Sequence, residues 1–545
     1  MDSSEQALER AAVLAFGVLV VVLGLWPWPL HPEMMLGEAE GEMGQHMAML
    51  WKALAPDAAW MNWPEGFEVP VQDKVHLPLA WIAFSLNPSW APALIVGVDL
   101  ALAYAGGFWL SRELGADRLP ATIGGAVLGS APFLGAMTTF GFTECLPLGL
   151  LALHAAALLR LAKTGAVRWA LLSSVLMVLY ALSGWYLAIL GLFAVPVLLV
   201  LCAQERPSRR VWALILAQGL LAALLVTPAA VDFAVNDNAL ELFDREIPPY
   251  LTGGPGVPEA ALDWRSMDYG TDPLNYVLPT VGQVKLPRSV YLGLVALVLG
   301  LVGLRSRTGR VLGAGVLLFC TLGLGHYLGI AGQPLLGDEP LPTPVAAMTA
   351  LVKPLQAIRH WYRAAGVAMV FLAPAAALAF PKGRWPALAL AAAVLADGLL
   401  LGDAPWPRTV QPGPPPLEIQ ELPGDGPLLL LPFVDGARSG TERVQHRWLP
   451  FLERPIAENY EGPDALMKNP FVAWAHHECS VRRRRTHRRP KDLEGMVQRL
   501  RDEGLEVVAV VIGTSRWETC RLALVEGLGE PDSESPDVAW WSLAR

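Results

Sequence analysis

The chain has 545 residues, of which 53% are hydrophobic and only 17% charged, and its formal net charge is −9. Soluble domains usually carry about 25% charged residues, so the composition excludes an ordinary soluble protein and favours one that lies mostly in a bilayer. The acidic balance argues against nucleic acid as a partner. The five cysteines show no zinc-binding spacing, so no metal-thiolate centre is predicted.

The first apolar segment runs from Ala11 to Leu30 and contains no charged residue. As a helix it is long enough to cross about 30 Å of hydrocarbon. Its end has the sequence LWPWPL rather than a small-residue cleavage site. The segment therefore predicts a retained membrane anchor and not a cleaved signal peptide.

Apolar segments of spanning length recur as far as residue 402. The uncharged stretch from Trp169 to Gln204 is too long for one span, because at 1.5 Å per residue it would overshoot the bilayer by about 20 Å. A turn is therefore predicted at Ser183 and Gly184. Eleven spans are predicted, near residues 12–30, 90–111, 120–141, 145–159, 169–183, 185–204, 211–231, 289–304, 311–330, 362–380 and 385–402.

Basic residues concentrate in alternate short connections, whereas the turns near 142–144 and 183–184 contain none. The basic connections carry Arg112 and Arg118; Arg160, Lys163 and Arg168; Arg206, Arg209 and Arg210; Arg305, Arg307 and Arg310; and Lys382 and Arg384. Because basic connections stay cytoplasmic, the N-terminus is predicted inside and the C-terminus outside. The long loops 31–89, 232–288 and 331–361 then share the outer face with the tail.

The tail predicts a separate small domain. Residues 403–426 are rich in proline and predict a linker. Within 427–545, GPLLLLPF, LEVVAVVIG and VAWWSL are typical of short strands, and KDLEGMVQRLRDEG predicts an amphipathic helix that ends at Gly504. Cys479 and Cys520 could form a disulfide if the tail lies outside an inner membrane. The predicted fold class is thus an all-α polytopic membrane domain, residues 1–402, with a small C-terminal α/β domain outside the membrane.

Four ionisable residues follow the first span: Glu38, Glu40, Glu42 and His46. A helix that starts near Gly41 would place Glu42 and His46 one turn apart on one face. A carboxylate beside an imidazole, close to a low-dielectric boundary, is a candidate general base. Glu38 and Glu40 could offer oxygen ligands to a divalent cation such as Mg²⁺ or Mn²⁺. The alternative is an acidic loop that only keeps the interface soluble.

The order of motifs resembles the GT-C superfamily of bacterial membrane glycosyltransferases. Many of these proteins read G-D-x-x-x-H after the first span, then N-[YW]-P-x-G and an aspartate. The matching residues here are Gly41, Glu42, His46, Asn62, Trp63, Pro64, Gly66 and Asp73. The segments FTECLPLGLLALHAAALLRL, LSGWYLAILG and LQAIRHWYRAAG continue the resemblance. Glu42 stands where the superfamily usually has aspartate; the longer side chain could still act as a base, or catalysis could have been lost.

The resemblance implies a GT-C-like fold and a catalytic acid in the first outer loop, with Glu42 and His46 as the candidates and Asp73 near the substrate. It also implies a polyprenyl-phosphate-linked sugar as donor, in contact with membrane lipid, and a glycan, lipid or protein as acceptor. The predicted function is hexosyl or pentosyl transfer on the outer face of the inner, cytoplasmic membrane. A non-enzymatic protein of the same architecture, acting in envelope polysaccharide assembly or export, is one alternative, and a transporter is another.

Arg359 and Arg363 lie four residues apart at the mouth of the tenth predicted span, so on a helix they would share one face. Two guanidinium groups could grip a lipid phosphate bidentately. Alternatively, they could anchor the helix end by reaching for lipid headgroups. In the second long loop, Asp268 could face the acceptor or form a turn.

Three further acids have open interpretations. Asp99 lies inside the second span, where it could act in function or bond to a neighbouring helix. Glu144, at the apex of an outer turn, could belong to the site or be solvated. A transporter would more often show charged helices at the midplane and repeated halves; only Asp99 and Asp397 are candidate charges, and the sequence contains no repeat.

Overall fold

The fold is described from a computed structural model. It covers residues 3–37, 42–54, 73–235, 271–279, 290–330, 333–334, 341–352, 355, 358, 360–380, 382, 385–402, 404, 406–415, 417–424, 426–431, 448–452, 469–479, 489–511, 517–535 and 538–543.

Helices dominate the described part of the chain. In chain order they are α1 (Ser3–Gly24), α2 (Met43–Leu54), α3 (Leu77–Leu86), α4 (Ala91–Glu113), α5 (Arg118–Gly129), α6 (Pro132–Phe140), α7 (Leu148–Thr164), α8 (Val167–Ser183), α9 (Trp185–Gln204), α10 (Arg209–Val235), α11 (Leu294–Gly303), α12 (Arg307–Gly323), α13 (Pro344–Leu351), α14 (Ala364–Ala377), α15 (Pro386–Leu400), α16 (Leu417–Gln420), α17 (Leu449–Leu452), α18 (Pro470–Cys479), α19 (Leu493–Asp502) and α20 (Trp517–Leu528).

The strands are short and form three small sheets. They are β1 (Met34–Leu36), β2 (Tyr327–Ile330), β3 (Gln333–Pro334), β4 (Leu341–Pro342), β5 (Val410–Pro412), β6 (Leu428–Leu431), β7 (Val507–Val511), β8 (Ser533–Glu534) and β9 (Val538–Ser542). β1 pairs with β5, β2 lies between β3 and β4, and the third sheet has the order β6-β7-β9-β8.

The chain divides into two compact units. The helical unit comprises Met1–Leu30, Gln72–His76 and Ala93–Thr409, and the mixed unit comprises His31–Val71, Leu77–Pro92 and Val410–Arg545. The mixed unit thus combines the tail with much of the first long loop. The predicted boundaries at 402 and 426 stay predictions; the proline-rich segment between them contains β5 and α16.

Each predicted span contains helical structure. Six helical stretches in the described residues are long and apolar enough to cross a membrane: Ser4–Gly24, Pro88–Glu113, Arg118–Phe140, Thr143–Thr164, Trp185–Gln204 and Arg209–Val231. Shorter apolar helices are Leu77–Leu86, Val167–Ser183, Leu294–Gly303, Trp361–Ala377 and Pro386–Leu400. The chain is therefore a polytopic α-helical membrane protein with a small C-terminal α/β part, and the count of eleven spans stays a prediction.

Helix boundaries follow the local sequence. The predicted turn at Ser183 and Gly184 is confirmed, because α8 ends at Ser183 and α9 begins at Trp185. The first helix ends at Gly24 instead of residue 30, since the following prolines cannot continue it. The third predicted span is divided into α5 and α6, and Pro132 is the first residue of α6.

Helix α14 forms the centre of the helical unit, and all its residues from Ala364 to Ala377 are buried. It packs against α5, α11 and α12. Small residues allow this close approach: a Cβ atom added to Gly303 of α11 would collide with the carbonyl oxygen of Ala375.

Ion pairs connect the basic turns at one end of the helical unit. Lys163, in the last turn of α7, lies 3.6 Å from Glu113 and 3.8 Å from Glu205, and Arg118 lies 3.9 Å from Glu9. The basic turns and the N-terminal helix therefore share one end, which is called the basic end below. The ion pairs place these basic turns at one end; the alternation over all the turns and the end that faces the cytoplasm stay predictions.

The tail folds as predicted. β6 runs parallel to β7, and β9 pairs antiparallel with β7. The three predicted strand segments coincide with β6, β7 and β9, and α19 is followed by Gly504 with a positive φ of 94°. The disulfide is confirmed, since Cys479 of α18 is bonded to Cys520 of α20 inside the hydrophobic core of this sheet and its helices.

Candidate active site

A cluster of buried ionisable side chains lies in the helical unit, at the end opposite the basic end. Four segments meet there: residues 73–76, the middle of α4, the short 3-10 turn Thr143–Cys145 before α7, and the 3-10 turn Trp361–Arg363 before α14. The five ionisable members are 2–5% exposed: Asp73, His76, Asp99, Glu144 and Arg363. This group is called the ionic cluster below.

His76 lies between two carboxylates. Its Nδ1 is 2.7 Å from Oδ2 of Asp73, and its Nε2 is 2.9 Å from Oδ2 of Asp99. Burial acts to lower the pKa of His76, but the charges of Asp73 and Asp99 and their hydrogen bonds raise it well above its ordinary value. Because a carboxylate faces each ring nitrogen, the surroundings of His76 favour its doubly protonated, cationic form.

Hydrogen bonds fix Asp73 to the neighbouring turns. The Thr143 hydroxyl donates to Oδ2 of Asp73 at 2.6 Å, and the Lys74 N–H donates to the carbonyl of Leu182 at 3.0 Å. The other carboxylate oxygen, Oδ1 of Asp73, is buried and has no hydrogen-bond partner within the described residues. This oxygen therefore keeps its capacity to accept a hydrogen bond.

Arg363 and Glu144 form the second half of the cluster. The Arg363 Nη1 lies 3.0 Å from Oε1 of Glu144. The guanidinium carbon is 4.5 Å from the ring centre of Tyr186 and 5.1 Å from that of Phe142. At these distances the rings stabilise the cation through their π-faces. Gly184 makes room for the carboxylate, because a Cβ there would lie 3.2 Å from the Glu144 Cβ.

Aromatic side chains continue outward from Arg363. The His360 ring lies 5.7 Å from the Tyr186 ring and 5.6 Å from the Tyr362 ring, centre to centre. His360 and Tyr186 are half-buried, whereas Tyr362 is buried. A planar cation beside flat aromatic faces is an arrangement that suits a ligand with a phosphate and an apolar or sugar ring.

Two sequence-based alternatives are wrong. Glu144 is not solvated, because Arg363 draws it into the interior, where it is 5% exposed. Arg363 does not anchor the helix end at lipid headgroups, because only 3% of it is exposed. Arg359 lies outside the described residues, so the predicted shared face of Arg359 and Arg363 stays a prediction; the described His360 is not helical, and α14 begins at Ala364.

Four predicted site residues lie outside the described part of the chain: Glu38, Glu40, Arg359 and Asp268. Their predicted roles stay predictions. Among the described residues, no group of three histidine, cysteine or acidic side chains is placed to hold a metal ion.

Glu42 and His46 have the predicted local geometry. α2 begins at Met43, the His46 N–H donates to the Glu42 carbonyl at 2.9 Å, and the two side chains approach to 3.9 Å. The one-turn spacing is therefore confirmed. Both residues belong to the mixed unit, and their catalytic role stays a prediction.

Sequence reasoning missed His76 and Thr143, and it did not connect Tyr186 with Arg363. A signal for His76 was available: the segment DKVH places Asp73 and His76 three residues apart immediately before the apolar helix α3. Thr143 and Tyr186 gave no comparable signal, because each meets its partner only through the tertiary fold.

Asp397, a candidate midplane charge, has a structural role instead. Its Oδ1 accepts a hydrogen bond from the Tyr291 hydroxyl, and its Oδ2 accepts one from the Val295 N–H, both at 2.8 Å. Asp397 therefore supplies a hydrogen-bond acceptor to the first turn of α11, because the backbone N–H groups of a first turn lack partners within the helix.

The architecture and the ionic cluster define a polytopic membrane protein with buried charge at one end of its helices. No protein-family model matches the sequence, and no curated protein matches it either. Solved structures do match over nearly the whole chain. The archaeal oligosaccharyltransferase AglB from Archaeoglobus fulgidus, in complex with an inhibitory peptide and a dolichol-phosphate, is 11% identical, with a TM-score of 0.47, over 96% of this chain and 71% of that one.

ArnT from Cupriavidus metallidurans is 13% identical in its apo state, with a TM-score of 0.44, over 99% of each chain. The structure of ArnT bound to undecaprenyl phosphate has a TM-score of 0.38 at 12% identity, over 100% of this chain and 99% of that one. These values describe a distant similarity of backbone arrangement.

Proposed function

We propose that this chain is a membrane glycosyltransferase that moves a hexose or pentose from a polyprenyl-phosphate donor to a glycan, lipid or protein acceptor. The observation that carries the proposal is the buried Arg363, held by Glu144 and by the faces of Tyr186 and Phe142. A rigid, desolvated guanidinium is the side chain best suited to bind a phosphate bidentately. The GT-C-like motifs support the same class of reaction.

In this reaction an acceptor hydroxyl or amide attacks the anomeric carbon of the donor sugar. The bond between that carbon and the phosphate oxygen breaks, and the lipid phosphate leaves with the bonding electrons. Arg363 stabilises the charge that develops on the phosphate. His76, with a fixed positive charge between Asp73 and Asp99, keeps those carboxylates in place.

A carboxylate has to take the proton that the acceptor loses. Two candidates exist. Glu42 is the candidate from the motif resemblance, and Asp73 is the candidate from the helical unit, because its Oδ1 accepts no hydrogen bond within the described residues. The two variants Glu42→Gln and Asp73→Asn separate these roles. Loss of the base is expected to reduce transfer by about 10²–10⁴-fold.

The ionic cluster is proposed to face the outside of the cytoplasmic membrane. The alternating basic turns support this orientation, and so does the disulfide between Cys479 and Cys520, because such bonds persist in oxidising compartments. A phosphatase fused after Ala404 should be active, while a reporter that matures only in the cytoplasm should stay dark there. The reverse pair of signals would invert the orientation.

The transporter alternative has weaker support. Asp99 is paired with His76, and Asp397 binds the start of α11, so neither intramembrane acid is available for a passing substrate. A non-enzymatic role in polysaccharide assembly or export remains the second candidate. Glu42, in place of the usual aspartate, is the feature that favours it.

The decisive experiment uses proteoliposomes that contain the purified full-length chain and an envelope extract as acceptor source. Polyprenyl-phosphate-linked hexoses and pentoses are added one at a time, and release of free polyprenyl phosphate is measured. Arg363→Lys keeps the charge but loses the planar fork, so kcat/KM should fall about 10–100-fold, equivalent to roughly 1.4–2.8 kcal/mol. Arg112→Lys, on a side chain that is 38% exposed at the basic end, is the matched control and should be unaffected.

If no donor is consumed and a deletion strain has unchanged envelope glycans by mass spectrometry, the transferase proposal is wrong. The same assay tests whether transfer needs the predicted divalent cation. It is repeated with a chelator and with the variants Glu38→Gln and Glu40→Gln. Equal and mild effects of the variants at residues 38, 40 and 42 would favour an acidic loop without catalytic function.

A further inference from the structure

A cleft of about 470 Å³ lies between α9 and α12, away from the ionic cluster. α9 contributes Pro196, Val197 and Val200, and α12 contributes Arg307, Arg310 and Ala314. A hydrogen bond of 3.1 Å from the Thr308 hydroxyl to the Gln204 side chain joins the two helices at the basic end. The cleft therefore begins at the basic end and extends about 10 Å along the helices toward Pro196 and Ala314.

The sequence explains why the helices separate there. Pro196 lies inside α9, where it has no N–H to donate and its ring crowds the preceding turn. Ala314 on the facing helix has a small side chain, so it does not fill the space. The result is an apolar gap in the part of the protein that contacts lipid chains, since Val200 is 50% exposed.

The mouth of the cleft is cationic. Arg307 and Arg310 lie three residues apart in the first turn of α12, so their side chains are neighbours on the helix surface. Both are exposed, and across the residues that the structure covers neither forms an ion pair with a carboxylate. Two adjacent cations without an acidic partner attract an anion at this position.

We propose that this cleft binds one anionic glycerophospholipid from the leaflet at the basic end. The headgroup phosphate lies between the guanidinium groups of Arg307 and Arg310, which bind its oxygens bidentately. One acyl chain lies along Pro196, Val200 and Ala314. Basic pockets between membrane helices at the cytoplasmic side commonly hold such headgroups, and here the apolar wall and the charged mouth fit the two parts of one lipid.

Native mass spectrometry of the full-length chain in neutral detergent tests this site. Phosphatidylglycerol and phosphatidylcholine with identical chains are the probes, because they share the phosphate and the tails but differ in net charge. The wild-type protein should retain one phosphatidylglycerol with at least about tenfold preference, and the double variant Arg307→Gln, Arg310→Gln should lose that preference. Tenfold corresponds to about 1.4 kcal/mol.

Two controls distinguish a site from a generally basic surface. Arg305→Gln removes an exposed cation of the same turn that does not line the cleft, and it should leave the preference unchanged. Val200→Trp fills the cleft while both arginines remain, and it should abolish retention of the lipid. Equal losses in Arg305→Gln and the double variant, or full retention in Val200→Trp, would overturn the proposal.

Discussion

The two ends of the helical unit differ in how far their cationic side chains are exposed to solvent. At the basic end, the cations of Arg112, Arg118, Arg160 and Lys163 are 28–47% exposed and form ion pairs of 3.6–4.0 Å. At the other end, Arg363 is 3% exposed and meets Glu144 at 3.0 Å.

This difference decides what each set of charges does. Ion pairs with an exposed cation contribute less to stability because water and salt screen them, although the acid Glu113, which pairs with Arg160 and Lys163, is itself only 8% exposed. Buried charges have lost their hydration and must be paired to be tolerated. In the ionic cluster, each buried charge therefore needs its partner, and removal of one partner should destabilise the protein.

The largest effect is expected from breaking the Arg363–Glu144 pair on one side only. Arg363→Met should lower the free energy of unfolding by about 3–5 kcal/mol, because Glu144 would remain buried without its cation. The double variant Arg363→Met, Glu144→Leu should regain much of that loss. Unfolding of the purified protein in detergent micelles measures both; a double variant no more stable than the single one would contradict the pairing argument.

An intermediate effect is expected from the protonation of His76. Its pKa in the folded protein lies above the unfolded value of about 6.5. The stabilisation is therefore complete below about pH 6.5 and is lost as the pH rises through the folded pKa, with a slope of about 1.4 kcal/mol per pH unit. His76→Gln should remove this slope, which unfolding measurements from pH 6 to 9 would reveal.

If wild type and His76→Gln show the same pH dependence, another group is responsible and the fixed-cation interpretation of His76 is wrong. Loss of overall stability in the variant does not affect this comparison, because the slope and not the absolute stability is compared.

The smallest effect is expected at the basic end. Asp117 lies 4.0 Å from Arg112, and its side chain is 66% exposed. Asp117→Asn should change the free energy of unfolding by about 0–1 kcal/mol. The same micelle measurements provide this value. A loss as large as that of Arg363→Met would show that burial is not what distinguishes the two ends.

Much of the fold was predictable because it depends on local patterns. Apolar length and charge predicted where the helices lie, Ser183 and Gly184 predicted the turn between α8 and α9, and the amphipathic repeat predicted α19. The division between α5 and α6 at Pro132 was missed because residues 120–141 are apolar throughout and were therefore predicted as one span. The α/β tail was predictable because its strands and helix also follow local sequence patterns.

The ionic cluster was less predictable because its contacts cross long sequence distances. Thr143 and Asp73 are separated by 70 residues, and no periodicity connects them. Asp73 and Arg363 were chosen individually from motifs, but their partners His76 and Glu144 follow only from the packed helices. Sequence identified some of the charges; the fold determines which of them neutralise each other.

The contact between Asp397 and α11 bears on how the protein is made. The Val295 N–H receives its acceptor from a residue 102 positions later, in α15. During synthesis, α11 emerges from the ribosome long before α15, so its first turn lacks this anion while the intervening helices are inserted. Helix α15 thus completes an earlier helix, and the first turn of α11 gains this hydrogen bond only after the chain has been translated past residue 397.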